Sequence, residues 1–169
     1  MNVIQELHLF EEGLRPARPS PAHDWNGDSW VRDVEKAGVL VQQEGERLCD
    51  NIDAAADVAR RALAGDPLRA LEHQQAAREA QAFQGQGYPK KAVPLSVSAW
   101  VVKGRTARQA ADQILAKAAE FEANLLALRE LRLKAKAQIR AHVAKGKADL
   151  ATQAADDALA AIRALRLRA

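Results

Sequence analysis

The sequence predicts a mainly α-helical protein: a helical hairpin or bundle around one long heptad-patterned helix, preceded by an extended proline-rich arm and a small β-hairpin. Three observations point there. Hydrophobic residues make up 48% of the 169 residues and aromatics only 4%, so alanine, the best helix former and a poor source of burial, supplies much of the apolar content. Small and apolar residues recur at alternating steps of four and three from Ala107 to His142, the repeat of a coiled-coil seam. Pro16, Pro19 and Pro21 stand just before an Asn-Gly pair, a combination that suits extended chain and a tight turn.

Residues 1–34 read as the arm. Val3, Ile4, Leu7 and Phe10 share one side of a short helix, but Leu9 and Glu11-Glu12 interrupt that pattern, so the first fourteen residues have no single assignment. The proline stretch is extended and poorly suited to a sheet interior, because proline lacks an amide donor. In His23-Asp-Trp25-Asn26-Gly27-Asp-Ser-Trp30-Val31, Asn26-Gly27 suits a type I′ turn, whose two central residues both need positive φ. This is the one clear β signal. A lone hairpin is marginal and must lean on something else.

Residues 35–169 read as the helical body. Gly38 and Gly45 weaken its beginning, so the first solid helix is expected from Val39 or Glu46 to Ala64. Gly65 fits the C′ position, and Asp66-Pro67 fits an N-cap and first turn, so a second helix is expected from Pro67 to about Phe83. Gly85-Gln-Gly87-Tyr88-Pro89 breaks it, and a short helix follows from Pro94 through Trp100. Thr106-Ala-Arg-Gln109 reads as a capping box. It opens the longest helix, expected over about 107–145. Its seam runs through Ala107, Ala111, Ile114, Ala118, Phe121, Leu125, Leu128, Arg132, Ala135, Ile139 and His142, with Phe121 to Leu128 as its greasy centre. A last helix over about 148–167 follows Gly146; so short a link favours an antiparallel pair, with a nearly continuous rod as the alternative.

Net charge is +3, but residues 1–57 carry twelve acidic and five basic side chains while the remainder carries ten and twenty. The chain is therefore electrically polar along its length. Cys49 is the single cysteine and lies in an apolar-periodic stretch, which predicts a buried, inert thiol in a reducing compartment. The first ten residues lack a basic leader with an apolar run, and no apolar stretch approaches the ~20 residues of a membrane span. The expectation is a protein made and kept inside a cell.

Catalytic patterns are scarce. Gly85-Gln-Gly87 lacks the third glycine and the preceding strand of a dinucleotide loop. His8, His23, His73 and His142 are scattered without metal-ligand spacing, and Ser20, Ser29, Ser96 and Ser98 have no elbow motif or evident histidine partner. Asp24, Asn26, Asp28 and Glu35 match four ligand positions of a calcium loop, but Ser29 occupies its required glycine. A hairpin explains the same residues more simply. The expectation is no enzyme, no metal and no cofactor.

Residues 129–147 hold Arg129, Arg132, Lys134, Lys136, Arg140, Lys145 and Lys147 against the single acid Glu130. Such a stripe can neutralise phosphates. It spreads around the helix and lacks stacking aromatics, so a solvated face, or a docking face for the acidic N-terminal third, is the favoured reading over nucleic-acid binding. Arg132 lies within the seam, where a charge must either reach water or meet a carboxylate from a partner; reaching water is favoured. Candidate partner-binding residues are His23, Trp25, Trp30, Tyr88 and Trp100, aromatic or amphipathic side chains in loop-like segments. Packing on the protein's own helices is favoured for Trp100, which follows Leu95 and Val97. For Trp25 and Trp30 own packing and partner contact stand level.

Pro19-Ser-Pro21-x-His23-x-Trp25-x-Gly27-x-x-Trp30 resembles the proline-rich, Trp-x-Gly-x-x-Trp stretch of tail fibre assembly chaperones and related tail proteins of tailed bacteriophages. Gly65-Asp-Pro-Leu-Arg-Ala70, Trp100 with Gly104-Arg-Thr-Ala107, Gln109-Ala-Ala-Asp-Gln-Ile-Leu115, and Arg132-Leu-Lys-Ala-Lys136 with Ile139-Arg140 also resemble helical tail-protein segments of phages and prophages. The similarity covers roughly residues 16–147. It implies a protein that binds a trimeric tail fibre or receptor-binding protein, aids its folding and trimerisation, and works in the host bacterial cytoplasm, with retention in the virion tail in some cases. The arm would engage the fibre and the long helix would serve as scaffold or self-association surface. A permanent tail or baseplate component holding the fibre is the alternative, and a nucleic-acid-binding helical protein is a second. The chain departs from the family in its short segment before the prolines and in the helix from Ala148 onward.

Overall fold

The computed structural model describes residues 7–10 and 13–166; the expectations placed on Val3, Ile4, Glu11, Glu12 and Leu167 fall outside them. The protein is mainly α-helical. Two antiparallel hairpins, β1 (Leu7–Phe10) with β2 (Gly13–Pro16) and β3 (His23–Trp25) with β4 (Trp30–Arg32), precede α1 (Val34–Ala64), α2 (Pro67–Gly85), α3 (Leu95–Ala99), α4 (Ala107–Val143) and α5 (Ala148–Arg166).

The upstream hairpin was not expected. Its partners are His8 with Arg15, Leu9 with Leu14 and Phe10 with Gly13, and Gly13 takes φ 121°, which only glycine adopts without strain. The helical spacing of the apolar residues before it hides the alternation of Leu7-His8-Leu9-Phe10. The downstream hairpin forms where expected, with Trp25 opposite Trp30, but its turn is shifted by one residue. The Asn26 amide donates to the Ser29 carbonyl, so Gly27 and Asp28 are the central pair. Gly27 has φ 106° and Asp28 is not in the positive region, the pattern of a turn with glycine first. Asn26 instead accepts the amides of Asp28 and Ser29 through Oδ1, at 3.0 and 2.8 Å.

α1 starts earlier than expected and runs through both glycines. Asp33 caps it by accepting the Lys36 amide. Gly45 is required there by packing: a methyl group on it would lie 2.5 Å from Cγ2 of Val143, so its cost in helix propensity is offset by a close approach of α1 to α4. Gly65 at φ 61° and the Asp66 cap separate α1 from α2 as expected. The capping box of Thr106 and Gln109 is present, and α4 ends at Val143. α5 folds back on α4.

α4 spans about 55 Å at helical rise and is the spine of two separate cores. Its C-terminal half packs with α1 and α5 around Leu48, Ile52, Leu128, Ile139, Ala155 and Ile162. Its N-terminal half meets α2 and α3 around Ala80, Phe83, Val97, Ala110 and Ala111. Every seam residue from Ala107 to His142 is at least partly covered. The expected greasy centre is corrected, however: Leu128 is buried, whereas Phe121 and Leu125 are only partly so. They lie where α1 has given way to α2, and α5, 19 residues against the 37 of α4, no longer reaches them.

Since Gly45 faces Val143 and Asp53 faces Arg132 and Lys136, α1 runs antiparallel to α4 and its first turns overhang the end of α4. The hairpins therefore sit at one end of the molecule and α3 at the other. The chain exposes 12347 Å², against about 8200 Å² for a compact folded monomer of its mass. It is elongated.

Candidate partner-binding surfaces

The arm is held together by its own aromatic residues. Trp30 meets Phe10 and Trp25 edge-on, each at 5.4 Å between ring centres, a favourable geometry for the ring quadrupoles. The Trp30 indole donates to the Pro16 carbonyl at 2.8 Å, which ties the two hairpins. Arg15 stacks over Phe10 and Trp25, and Arg18 over Trp30. Arg18 also donates to the carbonyls of His23 and Pro21. The support that a lone hairpin needs thus comes from a second hairpin.

Trp25 and Trp30 are half-buried in this cluster and His23 is half-buried beside it. His23 Nδ1 lies 2.8 Å from Ser20 Oγ, a Ser–His contact that sequence reasoning missed. Ser20 Oγ also accepts the Ala22 amide at 3.2 Å, which fits a turn-forming hydroxyl. Asp24 is held by Lys36 at 2.6 Å, and that hydrogen bond lowers its pKa. Among the described residues no group of three His, Cys, Asp or Glu is placed to hold a metal ion.

The alternation of β1 and β2 leaves the opposite face of the arm bare. Phe10 and Arg15 face the tryptophans, so the cross-strand neighbours Leu9 and Leu14 face solvent, 82% and 67% exposed. Val31 and Val34 are exposed as well, but Val31 pairs with Asp24 on the face of its own hairpin that points away from Trp25 and Trp30. No residue type in the sequence marked Leu9 and Leu14. Their signal was the two-residue period and the pairing.

At the far end Tyr88 is part of the second core: its ring meets Phe83 edge-on at 5.4 Å, and its hydroxyl donates to Asp112 at 2.5 Å. It adopts φ 60°, and these contacts hold it there. Trp100, expected on the protein's own helices, is 51% exposed. α3 is anchored instead by Val97, which is fully buried.

The basic stripe divides between two sides of α4. Arg132 donates to Asp53 Oδ1 at 2.9 Å, and Lys136 to Oδ2 of the same carboxylate. The charge in the seam is thus met within the chain, by α1, and it neither runs free to water nor waits for a partner's carboxylate. The Lys136 hydrogen bond, with Arg132 adding to it and desolvation opposing, holds the Asp53 carboxyl below its ordinary pKa. Arg140 lines a groove with Glu46 and Asp50 of α1, whereas Lys134 lines another with Asp157 of α5. Arg129 is exposed. Cys49 is buried at this interface and burial raises its thiol pKa, as expected of an inert packing residue.

No family model, curated protein or solved structure matches the chain.

Proposed function

We propose that this protein is a tail fibre assembly chaperone of a tailed bacteriophage, which grips a trimeric fibre or receptor-binding protein through its N-terminal arm while the α4-centred body acts as a scaffold. The observation that carries the binding role is the bare face of Leu9 and Leu14 on a hairpin already stabilised by its own aromatic cluster. A two-stranded ribbon also presents unpaired edges, which are templates for strand addition. A trimeric β-rich fibre folds slowly through non-local pairings and exposes edges and apolar faces on the way, which such an arm would cover. The phage identity of the partner rests on the resemblance of the Pro19–Trp30 stretch and the helical segments described above.

Co-expression with the neighbouring fibre gene tests this reading. The expected result is fibre that is soluble and trimeric only in the presence of this chain, in a complex of defined mass. Soluble trimeric fibre in its absence, with no complex, contradicts it.

A further inference from the structure

A second exposed apolar surface lies at the opposite end, where the loops around α3 form the tip of the molecule. Leu95 is 85% exposed, Val102 57%, Trp100 51% and Val101 39%. Four such side chains within eight residues form a local concentration, unlike the single exposed apolar residues common on protein surfaces. The tip is firmly built. Val97 is fully buried in the second core, and Ser96 Oγ donates to Glu79 at 2.5 Å, so the exposed residues are displayed on a fixed platform.

The charge carried by this stretch of chain is positive. Residues 80–111 contain no aspartate or glutamate and five cations. Lys90, Lys91 and Lys103 are exposed and make no ion pair among the described residues. Two carboxylates from the flanking helices meet this stretch, Glu79 on the Ser96 hydroxyl and Asp112 on the Tyr88 hydroxyl, so its five cations stand against two acids. Arg105 donates to the Trp100 carbonyl at 3.2 Å and stacks on its ring.

The chemistry distinguishes among anionic partners. Nucleic acid takes cations with stacking aromatics, and gives protruding leucine and valine nothing to bury in. Protein interfaces are depleted in lysine, which is abundant here. An anionic bilayer suits both features: headgroups attract lysines, the hydrocarbon boundary accepts leucine and valine, and tryptophan favours the interface between them.

We propose that the α3 tip is a peripheral membrane contact that docks on bilayers containing anionic lipid. Leu95, Trp100, Val101 and Val102 enter the headgroup boundary while Lys90, Lys91 and Lys103 lie on the phosphates. No helix among the described residues is long and apolar enough to cross a membrane, so the contact is superficial. It uses the end opposite the arm and stands independently of the fibre-binding reading.

Sedimentation of the full chain alone with vesicles tests this. The expected result is co-sedimentation with vesicles of phosphatidylcholine mixed with phosphatidylglycerol, and none with phosphatidylcholine alone. Lys90→Glu with Lys91→Glu lowers partitioning by about a hundredfold, given the attraction of each lysine to an anionic surface. Leu95→Ser with Val102→Ser lowers it by about tenfold through lost apolar insertion. All four side chains are exposed, so circular dichroism should show unchanged helix content. Absence of sedimentation with anionic vesicles overturns the proposal. So does sedimentation undiminished in the lysine variant, which would place binding elsewhere, such as residues 129–147. Tip-dependent capture by immobilised polyglutamate without vesicle binding would assign the tip to an acidic protein instead.

Discussion

The two halves of α4 are built from similar residues and have different fates. The C-terminal half lies between α1 and α5 and fully buries Ile139 and nearly all of Leu128. The N-terminal half has α2 along it and only the five-residue α3 besides, so Ile114 and Phe121, on the same seam, stay partly exposed. A heptad pattern marks which face a helix would bury, and the neighbours decide how much of it is buried. The end with fewer neighbours is also the end that displays Trp100 and Val102.

Two core truncations break this comparison most strongly. Phe83→Ala removes the largest buried side chain of the smaller core and is expected to cost about 3–5 kcal/mol; Ile139→Ala in the larger core should cost about 2–5 kcal/mol. Hydrogen exchange separates their effects. Phe83→Ala should release the amides of α2, α3 and the first half of α4 while those of α1 and α5 stay protected, whereas Ile139→Ala should lower protection in α1, α5 and the second half of α4. Equal loss everywhere in both variants would show a single cooperative unit.

A smaller effect concerns the carboxylate that joins α1 to α4. Asp53→Asn is expected to lose about 1–2 kcal/mol at neutral pH by weakening its contacts with Arg132 and Lys136. The folded pKa of Asp53 is depressed, by Lys136 first. Its stabilisation is therefore present above the unfolded value, near about pH 4, and is lost as pH falls through the lower folded value. Denaturation of the two proteins should accordingly differ at pH 7 and converge in acid. A difference that persists at the lowest pH would mean that Asp53 acts through packing alone.

The smallest expected effect is at Gly45. Alanine there gains helix propensity of about 1 kcal/mol but meets Val143 at 2.5 Å, and overpacking costs about 1–3 kcal/mol. A net loss of about 1 kcal/mol is expected, with Val143→Ala relieving it. Stabilisation by Gly45→Ala would show that the two helices can part without penalty.

Much of this architecture was legible in local chemistry. Asp66-Pro67, Gly65 and the Thr106–Gln109 box each decide the conformation of their own backbone, so helix boundaries near them could be read directly. Gly38 and Gly45 misled because their cost is local while the compensation at Gly45 comes from Val143, almost a hundred residues away in sequence. Arg132 was ambiguous for the same reason, since Asp53 reaches it only through the packing of α1 on α4. In the arm, Trp25 and Trp30 drew attention by their chemistry, yet they are partly covered by Phe10, Arg15 and Arg18. The exposed leucines beneath them became visible only with the strand register.

Fibre capture by the arm is tested most directly by comparing two variants of the full chain, each co-expressed with the fibre. One carries Leu9→Ser with Leu14→Ser and leaves the aromatic cluster intact; the other carries Leu95→Ser with Val102→Ser at the far tip. The arm variant should lose the complex and leave the fibre insoluble, while the tip variant retains both. Full complex formation by the arm variant would contradict the central role given to Leu9 and Leu14.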